Sequence, residues 1–295
     1  MTEAKSHKAG FVSIIGYPNV GKSTLMNSLV GERLSIISSK AQTTRHRIMG
    51  IIGGDDFQIV YSDTPGILDP KYSLQKSMLG YVYEALEDAD IILYVADLYE
   101  TEPEEQILES IKATGVPIIV VINKIDLDKD NRVNELIEKF QEKLNPHKII
   151  PVSAMLKANV DTVYETLLEL LPEHPAYFPK DELTDKTERF FAAEILREKI
   201  FLNYKKEVPY SCEVVITSFK EEETIIRILA EIYVERRTQR AILIGDKGSA
   251  LKKTGTEARL EMEAFFGKKV YLEQYVRVEP DWRKNDNQLK RFGYQ

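Results

Sequence analysis

Cysteine and long apolar runs are scarce in this sequence of 295 residues, and each scarcity excludes something. Cys212 is its only cysteine, so neither an intrachain disulfide nor a zinc site built on several thiolates can form. No apolar run reaches the ~20 residues that a membrane-spanning helix needs. The first ten residues carry charges but no apolar segment, which is not the pattern of a secretory signal. The four histidines lack ligand spacing, so we assign them no metal, and we expect a cytoplasmic protein.

The net charge of −7 is unevenly distributed along the chain. Residues 1–179 contain 17 lysines and arginines against 26 aspartates and glutamates, whereas residues 180–295 contain 23 against 21. Within 236–259 there are seven basic residues and two acidic ones. A polyanionic partner is therefore expected to meet the C-terminal part of the chain.

Residues 16–23 read G-Y-P-N-V-G-K-S, which is the spacing of a phosphate-binding loop. A predicted buried strand at 11–15 precedes it, and a predicted helix follows from residue 24. In that context backbone N–H groups and the helix N-terminus face the phosphates, Lys22 reaches the outer phosphates and the Ser23 hydroxyl binds Mg²⁺. The alternative, a chance glycine-rich turn, is disfavoured by the flanking strand and helix. The predicted nucleotide-binding residues of this loop are Gly16, Pro18, Asn19, Val20, Gly21, Lys22, Ser23 and Thr24.

Apolar strands alternate with helical patterns as far as residue 171. This alternation predicts an α/β fold, a mostly parallel sheet with helices on both faces, and such sheets bind ligands at the carboxyl ends of their strands. The further predicted strands are 57–61, 91–96, 116–122 and 148–152, and the helices are 73–88, 102–114, 130–144 and 159–171.

Three more motifs follow predicted strands. In D-T-P-G, Asp63 can hold Mg²⁺ through water and the Gly66 N–H can contact the terminal phosphate. In N-K-I-D, the Asp126 carboxylate can accept hydrogen bonds from guanine N1–H and the exocyclic amine, a donor pair that adenine lacks. Each motif is weak alone, but the four in this order predict a site for GTP and GDP. The third motif is S-A at 153–154, whose backbone can support the base. The residues predicted to support the base are Asn123, Lys124, Ser153 and Ala154.

A proline-rich segment at 171–181 predicts a domain boundary. We expect a nucleotide-binding domain at 1–171, a linker at 172–187 and a smaller α+β domain at 188–295. The last is predicted to run helix, strand, strand, helix, G-x-x-G, helix, strand. Its clearest predicted elements are helices at 188–201 and 249–266 and strands at 212–219, 224–234 and 270–278.

The G-D-K-G sequence at 245–248 would let a sugar-phosphate backbone approach closely. Nearby lysines add charge for phosphates, and an apolar surface at Ile242 or Ile244 could pack against unstacked bases. The alternative is a protein-interaction domain whose glycines only make a turn. The predicted RNA-binding residues are Ile244, Gly245, Lys247, Gly248, Lys252 and Lys253.

Taken together, these motifs resemble a known family. Residues 10–171 resemble a translation-factor-class GTPase domain, and Asn19 with A-Q-T-T-R at 41–45 resembles the branch that contains the TrmE and Era families. The C-terminal domain resembles a KH RNA-binding domain of the bacterial arrangement. Over about residues 10–290 the chain is similar to the Era family, although Tyr17 stands where the family often has arginine and Asp246 adds a negative charge to the G-x-x-G loop.

The resemblance implies roles for particular residues. Ser23, Thr44 and Asp63 would hold Mg²⁺, with Thr43 competing with Thr44 for that role, and Lys22, Thr44 and Gly66 would be the catalytic group. Asn19 would help hold K⁺ beside the phosphates or would only stabilise the loop. Ile67 occupies the place where Ras-like proteins carry a water-orienting glutamine, so we expect slow intrinsic hydrolysis that needs help.

The resemblance also implies a biological role. The protein would be a GTP-hydrolysing switch that binds single-stranded RNA at the 3′ end of 16S rRNA and assists assembly of the 30S subunit. It would be a monomer of the cytoplasm, with peripheral contact at the inner face of the cell membrane. Two alternatives stay open: a nucleotide-regulated RNA-binding protein with negligible turnover, and a GTPase that acts on protein partners only.

Overall fold

A computed structural model describes residues 6–37, 40, 42–99 and 105–294. These residues form two compact units. The first consists of residues 6–37 together with Thr44–Asp69 and Met78–Asp185. The second consists of Pro70–Ser77 and residues 186–294, together with residues 40, 42 and 43.

The first unit is built on a six-stranded sheet with the order β2-β3-β1-β4-β5-β6. β2 runs antiparallel to β3, and the other neighbouring strands are parallel. The prediction of a mostly parallel sheet is confirmed. The strands are β1 (Lys8–Ile15), β2 (Ile48–Gly53), β3 (Phe57–Asp63), β4 (Ile91–Asp97), β5 (Ile118–Asn123) and β6 (Lys148–Pro151).

Helices cover this sheet. α2, α3 and α4 share a hydrophobic core with β1, β4 and β5, in which the rings of Tyr94 and Phe140 lie 5.6 Å apart. α1 and α5 pack against each other. The predicted start of the third helix at 102 lies outside the described residues. The helices are α1 (Lys22–Val30), α2 (Ser73–Glu87), α3 (Glu105–Ala113), α4 (Arg132–Leu144) and α5 (Val160–Leu170).

β2 was not predicted from the sequence. Its residues, I-M-G-I-I-G, contain two glycines, which are depleted in strands and interrupt any alternation of apolar and polar positions. The strand exists because it pairs with β3 over its whole length, from Ile48 opposite Asp63 to Gly53 opposite Gln58. Tertiary pairing has therefore overridden a weak local signal.

The segment that follows α5 runs along the sheet of the first unit. The amide of Ala9 donates to the carbonyl of Pro172 (3.1 Å) and that of Ile51 to Leu183 (2.8 Å). The side chain of Gln58 accepts from the amides of residues 177 and 178 and donates to the carbonyl of Phe178 (2.8 Å). Residues up to Asp185 are thus hydrogen-bonded into the first unit, and the domain limits drawn from the sequence stay a prediction.

The second unit contains a three-stranded sheet with the order β7-β8-β9, in which β7 is antiparallel and β9 parallel to β8. Its three longest helices share one hydrophobic core with the sheet, and Cys212 lies fully buried in that core. The short α9 was not predicted. The elements are α6 (Glu188–Asn203), β7 (Glu213–Glu221), β8 (Ile225–Val234), α7 (Arg237–Ile244), α8 (Ser249–Phe266), β9 (Lys269–Val278) and α9 (Asp286–Arg291). In the described part of the chain, no helix combines the length and apolar character needed to cross a bilayer.

Candidate functional site

The predicted phosphate-binding loop joins the carboxyl end of β1 to the N-terminus of α1. Gly21 caps the helix with a φ of +100°, and a Cβ atom there would lie 2.2 Å from Nδ2 of Asn123, so glycine alone fits. The ammonium of Lys22 is buried and donates to the carbonyls of Gly16 (3.0 Å) and Tyr17 (2.9 Å). The loop therefore holds a positive charge at the helix N-terminus, where phosphate oxygens are favoured.

Three oxygen-bearing side chains meet beside this loop. The Ser23 hydroxyl donates to Oδ2 of Asp63 (2.7 Å), and its oxygen lies 2.9 Å from Oγ1 of Thr44. Asp63 is fully buried, and no hydrogen-bond partner is found for its Oδ1 atom among the described residues. These are the hard oxygen ligands that Mg²⁺ prefers, and the orphaned carboxylate oxygen leaves a place for it.

The electrostatics of Asp63 fit a cation as well. Burial raises the pKa of this carboxyl group, while the positive charge of Lys22 and the hydrogen bond from Ser23 act in the opposite direction. Burial is the larger effect, so the ionised carboxylate is under-compensated by the protein alone. A divalent cation would supply the missing charge.

The structure distinguishes Thr43 from Thr44, which the sequence left as competitors. The Thr43 hydroxyl donates to the carbonyl of Lys40 (2.6 Å) within its own loop. The Thr44 hydroxyl instead lies beside Ser23, in the group that contains Asp63. The geometry favours Thr44 as the metal ligand.

The N-K-I-D motif braces the phosphate-binding loop. Asn123 donates from Nδ2 to the carbonyl of Val20 (2.8 Å), and its Oδ1 accepts from the amide of Ala154 (3.0 Å). Lys124 donates to the carbonyl of Asn19 (2.6 Å). One asparagine thus connects the phosphate-binding loop to the S-A loop after β6.

Asp126 lies exposed at the end of this motif. Its Oδ1 atom accepts a hydrogen bond from the Ser153 hydroxyl (2.5 Å), which orients the carboxylate. Sequence reasoning missed Asp97, whose carboxylate pairs with the Lys124 ammonium at 2.8 Å. An acidic residue directly at the carboxyl end of a predicted strand was the signal that could have revealed it.

Ile67 follows Gly66 and is buried in the core of the first unit. Its amide donates to the carbonyl of Gly16 (3.1 Å), which brings the D-T-P-G turn against the phosphate-binding loop. A buried alkyl side chain has no group with which to orient a water molecule. Of the other loop residues, Val20 is buried and Pro18 and Thr24 are half-buried.

The G-x-x-G loop lies in the second unit, between α7 and α8. Gly245 has a φ of +71°, and a Cβ atom there would lie 2.6 Å from that of Ala250. Lys247 and Gly248 also have positive φ values, of +46° and +81°. The tight turn exposes Lys247, and the exposed Lys252 and Lys253 follow on α8.

Of the two isoleucines next to this loop, Ile242 is the more exposed. Ile242 is 50% exposed, whereas Ile244 is half-buried and packs against the core of the second unit. The structure brings all the predicted nucleotide residues together in the first unit and places all the predicted RNA-binding residues in the second.

The first unit combines a phosphate-binding loop, a buried aspartate beside that loop and an N-K-I-D motif at a parallel sheet. A unit with a G-x-x-G loop follows in the chain. This combination defines a guanine-nucleotide hydrolase with a KH domain. A family model described as a 50S ribosome-binding GTPase matches residues 11–124, and a KH domain model matches residues 207–283. The GTPase Era of Syntrophus aciditrophicus is 45% identical over 291 residues, which cover 97% of this chain and 95% of that protein.

Two crystal structures of Era also match, each with a TM-score of 0.93 and 42% sequence identity. One is Era in complex with MgGDPNP and nucleotides 1506–1542 of 16S ribosomal RNA, and the match covers 98% of this chain and 99% of that one. The other is a tyrosine-to-alanine variant of Aquifex aeolicus Era bound to GDP·AlF4⁻, with coverage of 97% and 99%. The chain belongs to the Era family of GTPases, and the family resemblance read from its motifs is confirmed.

Proposed function

We propose that this GTPase binds single-stranded RNA at the 3′ end of 16S rRNA and assists assembly of the 30S ribosomal subunit, with GTP as the switch. The proposal rests on one observation. The same chain contains a guanine site whose loops are joined by hydrogen bonds and an exposed, lysine-rich G-x-x-G loop. The related Era that was crystallised with MgGDPNP and a 16S rRNA fragment supports both ligands.

In the nucleotide site, the backbone amides of the phosphate-binding loop and the Lys22 ammonium bind the phosphates. The Asp126 carboxylate recognises guanine. Mg²⁺ supplies charge neutralisation on the phosphates when it is bound. Ser23, Thr44 and Asp63 would hold it, and Gly66 would offer its N–H to the terminal phosphate. Loss of that phosphate would release the loops that carry Thr44 and Gly66, which is the usual basis of a GTPase switch.

Hydrolysis is proposed to be slow without an activator, since Ile67 cannot orient the attacking water. Turnover that stayed negligible even with ribosomal subunits present would favour a nucleotide-regulated binding protein. Steady-state phosphate release, measured with and without 30S subunits, separates the two cases.

Asn19 is proposed to hold K⁺ beside the phosphates. Its side chain is exposed and its backbone has a φ of +65°, while its carbonyl is engaged by Lys124. A monovalent cation there would stabilise transition-state charge, so we expect hydrolysis to be about tenfold faster in K⁺ than in Na⁺ at equal ionic strength. The Asn19→Ala variant should lose that difference while its rate in Na⁺ stays within about twofold. Equal rates of the wild type in the two salts would leave Asn19 as a loop-stabilising residue.

RNA binding is tested on the three lysines of the G-x-x-G region. Replacing Lys247, Lys252 and Lys253 by alanine should weaken binding of a 16S 3′-end oligonucleotide and reduce the slope of log K against log salt by about 0.7 for each phosphate that is no longer neutralised. Fluorescence anisotropy over a salt series measures both. The matched control is Lys290→Ala, an exposed lysine of α9 in the same unit, which should bind as the wild type does. Weak, salt-insensitive binding by the wild type would favour a GTPase of protein partners.

The same proposal includes the domain limits at 171 and 188, a monomeric state, a cytoplasmic location and peripheral contact with the membrane. Gel filtration tests the monomer, and co-sedimentation with anionic vesicles tests the membrane contact.

A further inference from the structure

Asp97 is the last residue of β4 and lies, within the first unit, beside the start of the N-K-I-D motif. The register of the parallel strands pairs it with Asn123, the last residue of β5. Its Oδ1 atom accepts the amide N–H of Tyr99 in its own loop (3.0 Å), and its Oδ2 atom accepts from the Lys124 ammonium (2.8 Å). The carboxylate is thus fixed by a local turn and directed at the lysine of the motif.

Lys124 connects this carboxylate to the phosphate-binding loop. Its backbone has a φ of +65°, a left-handed conformation that a residue with a Cβ atom adopts only at a cost. Its ammonium donates to the carbonyl of Asn19 (2.6 Å) as well as to Asp97. An ammonium on a flexible stem has no preferred direction of its own, so its position is set by the acceptors around it. Of these two acceptors, the charged carboxylate is the stronger.

The Asn19 carbonyl belongs to the peptide group that ends in the N–H of Val20. Because that group is planar and trans, its C=O and its N–H point in opposite directions. The next carbonyl, that of Val20, accepts from Nδ2 of Asn123 (2.8 Å), which orients the N–H of Gly21 in the same way. Asn19 itself has a φ of +65°, the left-handed conformation found in anion-binding nests of successive N–H groups. Lys124 and Asn123 therefore hold two carbonyls so that the N–H groups behind them are free for phosphate oxygens.

The ion pair between Lys124 and Asp97 is better suited to positioning than to stability. The two side chains are 32% and 15% exposed, and ion pairs that reach solvent contribute little to the free energy of unfolding. Loss of the pair should therefore be visible in nucleotide affinity more than in the melting temperature.

We propose that Asp97 is a positioning residue for the phosphates of the nucleotide. Through Lys124 it keeps the Asn19–Val20 peptide in the direction that aims the Val20 N–H at a phosphate oxygen. This inference rests on the proposed nucleotide site. Phosphate-binding loops surround the phosphates that GDP and GTP have in common, so both affinities should depend on Asp97 to the same extent.

The first test is Asp97→Asn, measured by equilibrium titration with GDP and GDPNP. The amide keeps an acceptor for the Tyr99 N–H but places its N–H₂ group against the Lys124 ammonium, donor against donor. We expect both nucleotides to bind about tenfold more weakly, the effect of one misdirected hydrogen bond to a charged group. The preference for GTP over xanthosine triphosphate should not change, since Asp126 is unaltered. The melting temperature without nucleotide should stay within about 2 °C.

A double-mutant cycle tests whether Asp97 acts through Lys124. Lys124→Met keeps most of the stem and removes the ammonium, so it should weaken both nucleotides by itself. Adding Asp97→Asn to that variant should cost no further affinity. If Asp97 acted independently of Lys124, the two losses would multiply, and the inference would be wrong.

Asp97→Glu decides the question if Asp97→Asn does not fold. It keeps the charge and moves the carboxylate by one methylene group, so both affinities should fall in the same direction by a smaller factor. The control is Asp88→Asn, three residues before the other end of β4, where the carboxylate pairs with Arg47 (2.5 Å) within the same unit. Its affinities for both nucleotides should equal those of the wild type.

A purely structural role for Asp97 predicts another pattern. The variants would then lower the melting temperature while the folded protein bound both nucleotides as the wild type does, and that result would overturn the inference. Failure of the proposed nucleotide site would be visible separately, as a wild type that does not prefer guanine nucleotides.

Discussion

Asp126→Asn is expected to lower the affinity for GTP by about 10³- to 10⁴-fold and to create a preference for xanthosine triphosphate. The carboxylate presents two acceptors to guanine, whose N1–H and exocyclic amine are both donors. An asparagine amide would place its own N–H₂ against that amine, leaving donors face to face without an acceptor. Xanthine carries a carbonyl in place of the amine, so it pairs with the amide. Competition titrations with GTP, XTP and ATP measure the change.

Asp130→Asn is the control for this substitution. Asp130 is exposed in the same loop region, so its replacement alters the net charge by the same amount. It should leave the affinities for all three nucleotides within about twofold of the wild type. A fall in GTP affinity of less than threefold for Asp126→Asn would show that guanine is recognised elsewhere.

Lys22→Ala should reduce GTP hydrolysis by about 10³-fold. Its ammonium is buried in the phosphate-binding loop, and the loss of one preorganised charge next to a transferring phosphoryl group costs about that much in rate. The loss should appear in single-turnover assays at saturating nucleotide, because the interaction strengthens as charge develops on the phosphate. Single-turnover phosphate release separates this from weaker binding.

Lys8→Ala is the matched control at the other end of β1. The Lys8 ammonium also donates to two backbone carbonyls, of Leu168 (3.3 Å) and Glu169 (3.1 Å). Its removal should change stability slightly and the hydrolysis rate by less than twofold. If the two variants lost activity equally, the effect of Lys22 would be one of folding rather than of phosphate contact.

The sequence was most informative where a motif ends a strand. The D-T-P-G and N-K-I-D motifs each follow a predicted apolar run, and the carboxyl ends of parallel strands meet at one edge of the sheet. Asp63 and Asn123 could therefore be expected to lie near the phosphate-binding loop, and the structure places both there. Their chemical roles remain predictions.

The sequence was least informative where distant side chains decide the geometry. β2 has little local strand character and forms by pairing with β3. Asp97 forms an ion pair with Lys124, 27 residues away in the chain. Thr43 and Thr44 differ in which hydroxyl lies beside Ser23. Because they are adjacent residues of the same type, the sequence contains no signal for that difference.

The amino-acid sequence by itself determined that the chain carries a guanine-nucleotide loop set on a parallel sheet and a G-x-x-G loop on a second, basic region. Those features are local, since each depends on a few neighbouring residues with a fixed spacing. Only the tertiary structure decided that the Asp63 carboxylate is buried with one oxygen unpaired among the described residues, and that the Gln58 side chain donates to the Phe178 carbonyl 120 residues away. Burial and long-range hydrogen bonds depend on how separate elements pack, and the spacing of residues along the chain does not contain that information.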